Sequence, residues 1–345
     1  MAAALFARRR ARRQRERQRK ERIFHQRITL FQMPESDVIK LYRLPSHVIL
    51  SLLDEIKDDM EPRTKRSHAI PGLTKLLAAL HLLSSGSFQR AVTRNVGISQ
   101  SALSPALSAF LRAMMRRVGQ YIHFPQSREE IMETKMDFYA VAGFPNVIGA
   151  VDATHVPITP PSDDEHVYLN REQSYSMNIQ VVCNARHVIN NVVAKYPGST
   201  LDSFVLRRSR LYELMEDREA GRGWLLGDSA YPLLPWLLTP VSNPTTPAEQ
   251  RYNAAHSKTQ NVIERTLRVL KSRFRCLDKT AGSLLYSPSK VCEIVVTCCM
   301  LHNLALRSGM PVEVGAEGDD EHLGDGEGLE DGWATQREVI RSYFN

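Results

Sequence analysis

From Val147 onward the chain changes its rhythm: short apolar runs of strand length follow one another, separated by turns and amphipathic stretches. Residues 147–156 (VIGAVDATHV) form one such run, 179–183 and 188–195 are spaced as a hairpin, 201–215 has helical spacing, and 224–226 is a short apolar segment that ends in Gly-Asp. A connection rich in Pro and Thr, 232–247, leads into a helix through Ile263, Leu267, Leu270 and Phe274. An order of strand, strand, strand, helix, strand, helix predicts an α/β domain with a mixed sheet rather than an all-parallel one.

The part before it is helical. Residues 45–60 read as a short amphipathic helix starting near Ser46, and in 72–83 the residues Leu73, Leu76, Leu77, Leu80 and Leu83 recur at spacings of three and four. A second piece, 87–96, has Ser87 as a candidate cap and is cut by Gly97; a third opens at Ser99 and carries Leu103, Leu107, Phe110, Leu111 and Met114. Two short helices broken by Gly97-Ile98-Ser99 fit a small all-α helix-turn-helix domain, with Gln100, Ser101 and Ser104 facing a major groove, although plain helical bundles share the pattern. Proline in mid-helix costs about 3 kcal/mol, so Pro105 predicts a helix start at Ser104 with the proline in the first helical position.

Charge is distributed unevenly. Residues 1–30 hold eleven Arg and Lys, among them Arg8, Arg9, Arg10, Arg12 and Arg13, against two Glu; residues 311–331 hold nine acids and no Lys or Arg. These ends cancel, so the net +7 belongs to the body between them, which favours a polyanion partner. The basic start suits phosphate neutralisation and nuclear import, or simply a solvated tail. The chain thus divides into a basic arm (1–30), a helical, helix-turn-helix-like region (40–125), an α/β region (135–310) and an acidic tail (311–345). With 43% apolar residues over 345 positions, neither a disordered chain nor a disulfide-stapled miniature fits, and the five cysteines are odd in number and clustered late, which suggests a reducing compartment. No apolar run reads as a membrane span or a signal segment, so no membrane partner is expected.

Four acids stand out. Asp152 interrupts a run that otherwise reads as a buried strand, and an unpaired buried carboxylate costs several kcal/mol; it needs an arginine or a metal ion. Asp228 follows Trp224-Leu225-Leu226-Gly227, where a strand ends, as a turn residue or a site residue. Glu264 heads a helical stripe continued by Arg268, Lys271 and Arg275, either a solvated face with a Glu264–Arg268 pair or an acid that holds metal while the bases hold phosphates. Asp202 is a first-turn helix acid or a fourth ligand. Three carboxylates from an early strand, a later strand end and a following helix suit a two-metal phosphoryl-transfer site with Mg²⁺ or Mn²⁺ as cofactor. Cys292, Cys298, Cys299 and His302 invite a zinc reading, but they lie in an apolar helix where core packing is the better account. A Gly-rich phosphate loop, a Gly-x-Ser-x-Gly elbow and His-Glu-x-x-His are all missing from the sequence.

The segments VIGAVDATHV, YPGSTLD, WLLGDSAYP, TPAEQRYNAAHSKTQNVIERTLRVLKSRFRCL and CCMLHN, in that order, resemble the PIF/Harbinger superfamily of DNA transposases over about residues 40–310. The resemblance implies an RNase H-like catalytic domain with a DDE acid triad on Asp152, Asp228 and Glu264, with 35 residues between the last two, and places Asp202 at the metal site. It further implies a nuclear protein that cuts at terminal inverted repeats, joins the freed ends to target DNA and works with a Myb-like partner; self-association is also compatible. Arg251, Asn253 and His256 match the polar run before the triad Glu and are expected near DNA or the site. Three positions depart from the family pattern. Pro105 stands in the recognition helix, Asn170-Arg171-Glu172-Gln173 replaces Asn-Arg-Lys-Gly, and His187 stands where a glycine follows the hairpin, so a different hairpin turn is expected. A domesticated protein that keeps the fold for DNA or chromatin binding is the alternative reading.

Overall fold

The computed structural model describes residues 30–61, 69–86, 92–93, 96–217, 223–312 and 328–345. The basic arm, most of the 87–96 helix and the acids from Glu313 to Glu327 lie outside the described residues.

The N-terminal half is built from helices α1 (Glu35–Tyr42), α2 (Ser46–Glu55), α3 (Gly72–Ser85) and α4 (Gln100–Met115). Helix α3 is buried nearly all round, with Leu76 through Ser84 covered, because α1, α2 and α4 pack about it. The start expected at Ser104 is not observed: α4 begins at Gln100 after Ser99, and Pro105 lies inside it. The proline is tolerated because it sits on the exposed face, where the carbonyl left without its donor can meet water, while Leu103, Leu107, Phe110 and Leu111 anchor the other face.

Helix α5 (Arg128–Ala142) opens on a reciprocal cap between Ser127 and Glu130 and leads into the sheet. Strand β1 (Val147–Pro157) pairs antiparallel with β2 (Ser176–Cys183), which pairs antiparallel with β3 (Ile189–Pro197). On its other side β1 runs parallel to β4 (Trp224–Leu226), and β4 to β5 (Leu237–Leu238), giving the order β3-β2-β1-β4-β5. The sheet is therefore mixed, as the order of runs predicts. The single helix expected over 201–215 is two: α6 (Asp202–Arg207) and α7 (Arg210–Glu216), because Ser209 caps the second through the Tyr212 amide.

Helix α8 (Pro247–Arg273), opened by a Thr246–Glu249 capping box, lies against β1 and β2; α9 (Pro288–Arg307) lies against β3 and α4. Helix α9 has the length and apolar character of a membrane span, which the sequence reading did not anticipate, but most of it is covered by protein. Asn303 fixes it in place by bonding both backbone groups of Ile189 and the carbonyl of Tyr121. One apolar core runs unbroken from α3 and α4 into the sheet, so the helical and α/β regions share an interior.

The span 311–345 is not tail throughout. Helix α10 (Glu330–Tyr343) docks on the body, burying Gln336 and Val339, and Phe344 packs on Phe144 and Tyr252 with ring centroids 5.4 and 5.6 Å apart. Apolar side chains at its inner face outweigh the acidic character of the preceding stretch.

Candidate active site

The register of the two parallel strands sets the site. Ala150 of β1 stands opposite Leu226 of β4. Asp152 and Asp228 each follow that pair by two residues, Asp152 within β1 and Asp228 just past the end of β4, near enough for the Asp228 charge to act on Asp152. Gly227 makes this possible by compactness: a Cβ there would come within 3.2 Å of the Tyr231 ring and 3.3 Å of Leu237. The Asp228 side chain accepts from the Ala230 amide at 3.1 Å, and that of Asp152 from the Ala153 amide at 2.7 Å.

Asp202 begins α6 and is held from the sheet: Asn178 Nδ2 donates to its Oδ1 at 2.7 Å. Glu264 lies on the exposed side of α8, one turn after Gln260, whose Nε2 donates to the Val151 carbonyl at 2.9 Å. That bond ties the helix carrying Glu264 to the strand immediately before Asp152.

The acids feel one another. The Asp152 carboxyl is pushed well above the usual range, first by burial and then by the charges of Asp228, Asp202 and Glu264; the Ala153 amide opposes this. Tyr231 is raised by burial and by Asp202, Asp152 and Asp228. Four hard-oxygen donors that repel one another are a donor set suited to Mg²⁺ or Mn²⁺, since a divalent ion relieves the repulsion. Among the described residues no three His, Cys, Asp or Glu side chains already surround one metal position. The donor chemistry fits the ion, with the carboxylates near but not converged.

Polar groups that the sequence reading did not single out border these acids. Gln180, opposite Ala153 in the register, is fully buried with both amide atoms unpartnered; the Asn178 Oδ1, the Gln260 Oε1 and the Tyr231 hydroxyl also find no partner among the described residues. Each such atom costs about 1–3 kcal/mol. Gln180 could have been found as Asp152 was, as a polar interruption of an apolar run; Tyr231 carries no such signal.

The other candidates are dispersed. Gln100, Ser101 and Ser104 are exposed on the first turns of α4. Arg268 is half-buried, and Lys271 and Arg275 lie within reach of Asp278, whose carboxyl burial raises but the Thr280 hydrogen bonds, with the charges of Lys271 and Arg275 adding to them, bring below its usual range. The arginines of the basic arm lie outside the described residues.

Arg251, Asn253 and His256 are engaged in structure rather than at the acids. Arg251 Nε donates to the Phe344 carbonyl at 2.8 Å, Asn253 bonds both backbone groups of Val241, and buried His256, lowered to about 4 by burial, bonds the Leu238 carbonyl. The zinc alternative finds no support: Cys298 and Cys299 are fully buried, and His302 accepts from Arg273 and donates to the His187 carbonyl. The hairpin expected to differ keeps its left-handed residue, His187 at φ 64°, and Gln173 is left-handed at φ 57°.

Comparison with known proteins gives the family. Residues 151–303 match the model of the DDE superfamily endonuclease family. The chain is 42% identical to "Putative nuclease HARBI1" of Rattus norvegicus, over 86% of this chain and 88% of the rat protein, and 41% identical to HARBI1 of Homo sapiens, over 83% and 82%. It is 30% identical to "Protein ALP1-like" of Arabidopsis thaliana, over 67% of this chain and 60% of the plant protein. No solved structure matches. With this identity spread over most of both chains, the protein belongs to the Harbinger-derived family of the DDE superfamily, alongside HARBI1.

Proposed function

We propose that the protein is a metal-dependent DNA nuclease that hydrolyses phosphodiesters on an RNase H-like sheet. The observation that carries this is that Asp152 and Asp228 each follow by two residues the paired positions Ala150 and Leu226 of two parallel strands, with Asp228, Asp202 and Glu264 close enough to act on Asp152. Asp152, Asp202, Asp228 and Glu264 would hold divalent ions, which when bound supply an activated water and charge stabilisation at the leaving oxygen. The residues around them do the rest: Asn178 orients Asp202, and Gln260 sets α8 against β1. Arg268 and Lys271 extend along the same helix, Arg275 stands in the short 3-10 turn (Arg275–Leu277) just beyond its end, and the three suit contacts to phosphates.

Joining of a freed 3′-hydroxyl to target DNA is the same chemistry with a different nucleophile, and we propose it for this site as well. Sequence choice is assigned to the exposed start of α4 and to a Myb-like partner. The basic arm is assigned to phosphate binding and nuclear import. An acid set of four argues against a pure binding protein, since clustered carboxylates repel a phosphate backbone. The test is Mg²⁺- or Mn²⁺-dependent cleavage of inverted-repeat DNA by the wild type and by Asp152→Ala, Asp228→Ala and Glu264→Ala. The wild type alone is expected to cut; equal cutting by all four overturns the assignment, and joined products separate transposition from hydrolysis.

A further inference from the structure

Tyr231 is fully buried in the smaller of two apolar clusters, with its ring against Gly227, and its hydroxyl has no hydrogen-bond partner among the described residues. Phenylalanine would fill the same space without burying an oxygen, so the phenol is a cost to the fold unless some state of the protein uses it. Its surroundings identify that state. The Tyr231 backbone N–H donates to the Asp228 carbonyl at 3.3 Å and its ring lies against Gly227, so it stands beside the strand end that carries Asp228, within electrostatic reach of Asp202, Asp152 and Asp228. The other polar groups of this wall are partly used: Asn178 already donates to Asp202 and Gln260 to the Val151 carbonyl. Tyr231 has a free donor in a place where the neighbouring charged groups are acceptors.

We propose that Tyr231 is a positioning residue for the acid cluster, its O–H donating to a carboxylate oxygen that does not face the bound cation and so fixing which oxygen does. Metal ligands are commonly held in this way, and loss of such an outer partner costs about 10–100-fold in metal affinity. The inference rests on the metal-dependent reading above.

The experiment is Mn²⁺ titration of the full chain by calorimetry, with thermal midpoints measured with and without Mn²⁺, for the wild type, Tyr231→Phe and Asp152→Asn. The wild type is expected to bind Mn²⁺ and Asp152→Asn to lose binding. Metal-free Tyr231→Phe is expected to melt at or above the wild-type temperature while binding Mn²⁺ about 10–100-fold more weakly. Wild-type affinity in Tyr231→Phe overturns the role of the hydroxyl and leaves the metal site standing. A lowered metal-free midpoint together with weaker binding overturns it too, since the hydroxyl would then serve the fold. Failure of the wild type to bind Mn²⁺ overturns both readings.

Discussion

Asn178 uses one amide group to tie two parts of the site together: its Nδ2 donates to Asp202 Oδ1 at 2.7 Å and to the Thr200 carbonyl at 2.8 Å. It thereby fixes the first residue of α6 to strand β2. Asn178→Ala releases the Asp202 carboxylate and leaves the Thr200 carbonyl unpaired, at about 1–3 kcal/mol of stability. Cleavage is expected to fall about tenfold at limiting Mg²⁺ and to recover as Mg²⁺ is raised, as the loss of a ligand's outer partner dictates. Rates measured against Mg²⁺ concentration check this, and a loss that persists at saturating Mg²⁺ would contradict it.

Asp152 makes the metal-free protein sensitive to pH. Its carboxyl is raised in the fold, so the native state holds this proton more tightly than the unfolded chain does. Stability therefore declines as pH rises from the unfolded value, about 3.9, through the raised native value. Asp152→Asn removes that contribution. The variant is expected to melt above the wild type at neutral pH without metal, the gap closing toward pH 4, while its nuclease activity is lost. Thermal melts across pH 4–8 give the sign directly.

Gln173 carries a left-handed backbone, φ 57°, at a position where the family pattern has glycine. An L-residue pays about 1–2 kcal/mol for that conformation. Gln173→Gly is expected to raise stability by about 1 kcal/mol in urea unfolding, less the extra freedom glycine gives the unfolded chain. His187→Gly is expected to gain less, because the His187 ring also bonds Thr266 Oγ1 at 2.9 Å and that bond is lost.

Arg251 and Lys271 separate fold from DNA contact. Arg251→Ala gives up the bonds to the Phe344 carbonyl and is expected to cost about 1 kcal/mol of stability without changing the salt dependence of DNA binding. Lys271→Ala gives up the charge that acts on Asp278, and is expected to cost about 0.2–1 kcal/mol of stability and to reduce the slope of log affinity against log salt by about 0.9, one phosphate contact. Binding isotherms at several salt concentrations distinguish the two.

Asp152 could be read from the chain because a charge inside a strand-like run is anomalous wherever the strand lies. The mixed sheet followed from the order of its runs. Strand β5 escaped because two residues make no periodic signal and its pairing comes entirely from β4. The break between α6 and α7 escaped because the Ser209 cap competes with an otherwise continuous apolar spacing. The backbone partners of Arg251, Asn253 and His256 could not be read from the chain, because those groups are brought near only by folding. Gln180 and Tyr231 owe their interest to burial, which depends on partners distant in sequence.

The clasp between Arg251 and Phe344 puts the chain's last turn in the same mechanical train as Glu264. Helix α8 is gripped near its start by the C-terminal residues, and thirteen positions after Arg251 it delivers the third acid to the sheet. Loosening that grip, as by Phe344→Ala, is expected to be felt at the far end of the helix as well as in the melting temperature.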